Sequence, residues 1–114
     1  MSEPKTNSML YEPYAGFISN LTDKLVDVDT DLPIHEQHLA MLRQRISNGK
    51  YTYLKLLDGT NVEYIKVSNL SGALVVERGL ELTEPKTFPV GTCIKWELTP
   101  TAIRDIICQM ECCG

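Results

Sequence analysis

Three cysteines crowd the end of the chain, Cys108, Cys112 and Cys113, and a fourth stands at Cys93. Cys108 and Cys112 are four residues apart, so on a helix their thiols share a face. Two thiolates at that spacing can hold one zinc ion or one iron of an iron-sulfur cluster. Cys113, and Cys93 if its strand lies alongside, would complete the ligand set. The spacing C-x-x-x-C-C matches no standard zinc or ferredoxin pattern. Reduced buried thiols, a metal or iron-sulfur centre, and disulfides are therefore three readings of the same residues.

Other ligand patterns fail on spacing. The segment HEQH places His35 and His38 three apart, where a zinc-protease helix needs H-E-x-x-H. Asp27, Asp29 and Asp31 alternate as at the opening of a calcium loop, but Leu32 and His38 stand where that loop needs Gly and Glu. Those carboxylates suit a turn or a helix start. No Ser or Cys has an evident His and carboxylate partner, and no Gly-rich phosphate loop is present. The expectation is a protein that is not an enzyme and has no cofactor, apart from the zinc or iron-sulfur reading of the cysteines.

The elements that must position these residues follow from periodicity. Residues 1–32 carry Pro4, Pro13 and Gly16 with Tyr11, Tyr14 and Phe17 placed irregularly, and read as an extended N-terminal arm. From Pro33, the positions His35, Leu39, Leu42 and Ile46 share one helical face, and Asn48-Gly49 supplies a stop. Residues 50–68 read as a hairpin turning at Asp58-Gly59. Pairing Leu57 with Val62 puts Thr52, Leu54, Leu56, Glu63, Ile65 and Val67 on the core face.

A third strand covers Ala73 to Glu77 and a fourth Cys93 to Leu98. Thr99 then caps a C-terminal helix starting at Pro100, with Ile103, Ile106, Ile107 and Met110 as its apolar stripe. The predicted fold is mainly β, a small antiparallel barrel or sandwich, with an amphipathic helix before the sheet and a short helix after it. Residues 33–114 form one small domain and residues 1–32 its arm.

Aromatic side chains are the candidate contact groups. Tyr51 and Tyr53 lie across from Tyr64 on the hairpin face opposite the core, beside Lys55 and Lys66. That face is either an ordinary solvated surface or an interface, where tyrosine is enriched. An aperiodic arm cannot bury Tyr11, Tyr14 and Phe17 by itself, so it is expected to pack on another subunit or partner.

Bulk composition excludes several classes. The 114 residues are 43% hydrophobic and 23% charged, which suits one folded domain. A net charge of -4, with basic residues scattered, argues against a nucleic-acid surface. No apolar run is long enough to span a membrane, and the first residues lack a signal-peptide pattern, so synthesis in a cytoplasm is expected.

The connection between the last two strands carries the remaining signal. It opens with Val76-Glu77-Arg78-Gly79 and closes with Pro89-Val90-Gly91-Thr92. From Tyr51 to Thr99 the chain resembles a pattern found in small tail and adsorption-apparatus proteins of tailed bacteriophages. In it a strand ending V-x-R-G leads through a loop to P-x-G-T, a further strand and a short helix. The resemblance implies a structural virion protein of the tail tip, baseplate or fibre-attachment region, assembled in the host cytoplasm with other virion proteins as a homo-oligomer. Arg78, Gly79, Pro89, Gly91 and Thr92 would shape a loop that touches a neighbour. A small cysteine-based metal-binding protein and a capsid decoration protein are the alternatives.

Overall fold

The alternation in residues 50–68 folds as the hairpin it predicts. In the computed structural model of the chain, which describes residues 9–112, β3 (Lys50–Asp58) pairs antiparallel with β4 (Asn61–Leu70), with Leu57 opposite Val62. Thr52, Leu54, Leu56, Glu63, Ile65 and Val67 are all buried on one face, as the register requires. β5 (Ala73–Leu80) returns along β4, and β6 (Cys93–Trp96) pairs with the other edge of β3.

Two short strands complete a six-stranded sheet. β2 (Ile18–Asn20) pairs antiparallel with β6, while β1 (Leu10–Tyr11) lies parallel to the start of β3. The main strand order is β2-β6-β3-β4-β5. The fold is therefore the expected mainly antiparallel β structure with two helices, and barrel closure is not part of this strand order.

Helix α1 (Glu36–Arg45) starts where His35 caps it, the ring Nδ1 accepting a hydrogen bond from the Gln37 amide. It buries Leu42, and the residue that ends it, Ile46, is fully buried too. Helix α2 (Pro100–Cys112) opens as expected, with the Ala102 amide donating to the Thr99 hydroxyl.

The sheet separates two apolar layers. On one face, Leu54, Leu56, Ile65 and Ile94 pack with Leu42, Ile46, Phe88 and the N-terminal residues Phe17, Leu21 and Leu25. On the other, Tyr11, Tyr51 and Tyr53 pack under Ala102 and Ile106 of α2. No helix among the described residues is long and apolar enough to cross a membrane.

The N-terminal segment needs correcting. Residues 9–32 are largely extended, but they do not stand apart as an arm. Tyr11 and Phe17 are each only 3% exposed within their own chain, and Tyr14 packs beside Phe17 with Arg45 over its ring. Backbone hydrogen bonds tie Leu21 to Thr92, Leu25 to Phe88 and Thr30 to Val76. The physical reason is that an aperiodic strand can bury its rings once a preformed sheet edge accepts its peptide groups.

Candidate functional site

The residues that carry the tail-protein resemblance do internal work. Glu63 sits on the buried face of β4, where an apolar residue would ordinarily stand, and Arg78 meets it from β5 with Nε and Nη2 at 2.7 and 2.8 Å from the two carboxylate oxygens. All five N–H groups of Arg78 are used, the others donating to the carbonyls of Val26, Asp29 and Lys86. Glu63 also accepts from the Gly79 and Lys86 amides. This pair thus fastens β4, β5, the following loop and the N-terminal turn together.

Gly79 is needed because β5 bulges there. Tyr64 faces Leu80 while Lys66 faces Glu77, so Arg78 and Gly79 together oppose Ile65. Gly79 has φ +68°, and a Cβ on it would lie 2.7 Å from the Pro85 ring. Gly91 supplies the positive φ of the turn in which the Thr92 amide and hydroxyl both donate to the Pro89 carbonyl. The Gly91 amide in turn donates to Leu21. The loop therefore packs on its own N-terminal segment, which gives these five residues an intrachain role.

Of the four cysteines, Cys93 and Cys108 lie at different ends of the sheet. Cys93 pairs with Leu57 at the turn end of β3, whereas Asp105, one turn before Cys108 on α2, bonds Tyr51 and Tyr53 toward the other end. Leu57 and Tyr51 are about 20 Å apart along the strand. Cys93 is half-buried and Cys108 exposed. No group of three His, Cys, Asp or Glu side chains is arranged to hold a metal among the described residues. Cys112 is the last residue of α2 and its side chain, with Cys113, lies outside them.

His38 also finds a local role. Its Nδ1 lies 2.6 Å from the Ser19 hydroxyl, the spacing of a base and a nucleophile, but Ser19 is buried on β2 and the contact ties that strand to α1.

The face under α2 is where charge, rings and exposed apolar groups converge. Tyr51 and Tyr53 each donate a hydrogen bond of 2.6 Å to the same oxygen of Asp105, and the Trp96 indole donates to the Tyr11 hydroxyl. Burial pushes the phenols of Tyr51 and Tyr53 well above their ordinary range, and the Asp105 carboxylate adds to this. Burial likewise raises Tyr11. Tyr51 and Tyr53, expected as interface groups, are therefore interior.

Tyr64, the third of that set, stays half-buried at the open side and donates to Glu97 at 2.8 Å, while Lys55 donates to the other oxygen at 3.2 Å. The Tyr64 hydroxyl holds the Glu97 carboxyl below the usual range, against its burial and with help from Lys55.

The residues α2 turns toward the sheet are Ala102, Asp105, Ile106 and Gln109; Gln109 accepts from the Tyr11 amide and donates to its carbonyl. Of the expected stripe, only Ile106 packs in this layer. Ile103, Ile107 and Met110 are exposed, Met110 by 72%. Asp105 and Gln109 point toward β3 and β1, so with 3.6 residues per turn Ile103, Ile107 and Met110 lie along another side of the helix. At the start of α2, Tyr64, Glu81, Leu82, Glu97, Leu98 and Pro100 line an open cleft. Glu81 and Leu82 both have positive φ, unusual for residues with side chains, and Leu82 is fully exposed.

No protein-family model, curated protein or solved structure matches this chain significantly. The open half of the α2 face is thus the surface its own physics singles out. Sequence reasoning missed it because the stripe looked like the buried side of α2. The signal was present in Asp105 and Gln109, four apart and positioned to bond a tyrosine layer.

Proposed function

We propose that this chain is a non-catalytic assembly protein that works through protein contact. Its setting is the virion of a tailed bacteriophage, in the tail tip, baseplate or fibre-attachment region. The observation that carries the contact reading is the apolar line Ile103, Ile107, Met110, left in solvent beside a sheet face that α2 covers only in part. A helix is about 10 Å wide and strands lie about 4.8 Å apart, so one helix shelters roughly two strands. Val75 and Leu70, on the strands beyond, are 40% and 49% exposed. Exposed apolar groups clustered in this way mark an interaction surface.

The phage setting is supported by the V-x-R-G and P-x-G-T resemblance alone. Those residues build the bulge, the buried pair and the turn, so what they carry is a common way of folding the loop. Mass spectrometry of tailed particles purified from the strain that makes the chain tests the setting: the chain is expected among the particle proteins, and its absence overturns the virion reading. An Ile107→Asp variant that keeps its circular dichroism and melting temperature is expected to be missing from those particles. Its normal incorporation would count against this surface.

A further inference from the structure

We infer that α2 is a hinged lid, which opens at Leu98 and uncovers the tyrosine layer while the sheet and its main core stay folded, with the Asp105 carboxylate as the latch that holds it shut.

The two sides of the sheet do not depend on α2 alike. Among the described residues, the buried residues of the main core, from Phe17 to Ile94, include none from α2. Between Pro100 and Met110 Ala102 alone is buried, and Ile103, Ile107 and Met110 face solvent. Lifting the helix therefore takes nothing out of that core. The layer beneath is also organised without it: the rings of Tyr11, Tyr51 and Tyr53 have centres 5.4 to 5.7 Å apart, the Trp96 indole bonds the Tyr11 hydroxyl, and the Lys66 Nζ lies 4.3 Å from the centre of the Tyr51 ring. Those contacts join β1, β3, β4 and β6 to one another.

Closure rests on a polar balance beside the packing of Ala102 and Ile106. The Asp105 side chain is 17% exposed, and a single oxygen of its carboxylate accepts both tyrosine hydroxyls at 2.6 Å. Taking that charge out of water is costly, and the two bonds offset the cost; in the open form water solvates the carboxylate instead. Gln109 adds its bonds to the Tyr11 backbone one turn further on.

The hinge is short. Glu97 stays with the sheet through Tyr64 and Lys55, whereas Thr99 goes with the helix, its hydroxyl and carbonyl accepting from the Ala102 and Ile103 amides. Leu98 stands between them and is 50% exposed.

Hydrogen exchange of the native full chain, read by mass spectrometry over urea concentrations below the unfolding transition, tests this. Peptides covering residues 103–109 are expected to be about a hundredfold less protected than those of β3 and β4, and their exchange to respond little to urea, because lid opening exposes far less surface than unfolding. Ile65→Val weakens the main core, which is intact in both the closed and open forms. It is expected to lower the protection of β3 and β4 about two- to tenfold and to leave that of α2 unchanged. Asp105→Ala removes bonds made only in the closed form, so it is expected to lower the protection of α2 about ten- to hundredfold and that of the sheet by the same factor. Protection and urea dependence in α2 equal to those of β3 overturn the lid, as does an Ile65→Val effect that reaches α2. Protection that fades toward Met110 while Ile103 matches the sheet is fraying of a helix end and overturns it too. An Asp105→Ala variant with unchanged protection in α2 overturns the latch. Wild type and Ile65→Val decide the lid even where Asp105→Ala does not fold.

Discussion

Glu63 and Arg78 face each other from adjacent strands through two parallel hydrogen bonds, with side-chain exposures of 0% and 7%. A buried pair of this kind need not be worth much relative to an apolar pair, but removing one partner strands a charge in the core. Arg78→Met is therefore expected to lower stability by about 3 to 5 kcal/mol, read from denaturant unfolding. A loss near zero would show that the two charges do not depend on each other.

The two loop glycines should differ in sensitivity. Both have positive φ, but a Cβ at Gly79 collides with Pro85 whereas one at Gly91 meets open space. Gly91→Ala carries only the backbone term, about 1 kcal/mol, and Gly79→Ala that term plus displacement of the proline, about 2 to 3 kcal/mol. Melting temperatures that fall equally would remove the Pro85 contact from the account.

Alkaline pH should unfold the protein through its tyrosines. The phenols of Tyr51 and Tyr53 are raised above the ordinary phenol value of 10.0 when folded, chiefly by burial. The unfolded chain then releases those protons first, so stability is full below pH 10 and declines as pH rises from there. Denaturant midpoints measured upward from neutral pH should show this decline, and a Tyr51→Phe, Tyr53→Phe double variant should show a shallower one. An unchanged slope would mean that these hydroxyls do not titrate with unfolding.

Leu82 holds a left-handed backbone conformation with its side chain wholly in water. Leu82→Asn keeps the turn in which the Thr83 amide bonds the Leu80 carbonyl, and relieves about 1 kcal/mol of strain. The variant is expected to be more stable, as read from its melting temperature. Equal stability would mean that the turn relaxes with leucine in place.

Much of the fold was legible because alternation and capping are local. The register of β3 with β4, the Thr99 cap of α2 and the burial of Leu42 and Ile46 all follow from neighbours in sequence. Glu63 was placed on the core face, and a carboxylate there already demanded a buried cation; nothing local named Arg78. The parallel pairing of Leu10 and Tyr11 with β3 was illegible, since two residues cannot show a period. The side of α2 that packs was misread because two of its contacts are polar. Hydrophobic periodicity counts Ile103 and Ile107 toward the core and is blind to the hydrogen bonds that Asp105 accepts from two tyrosines and Gln109 from a backbone amide far along the chain.

The bond between the Tyr11 amide and Gln109 spans 98 positions. During translation, β1 is made long before its last partner on α2, and β3 only midway between them, so closing that long loop comes late. Until α2 leaves the ribosome the three clustered rings of Tyr11, Tyr51 and Tyr53 have no roof, so the nascent chain passes through a stage with a sticky aromatic surface. Chains stalled before Pro100 would be the ones a chaperone holds.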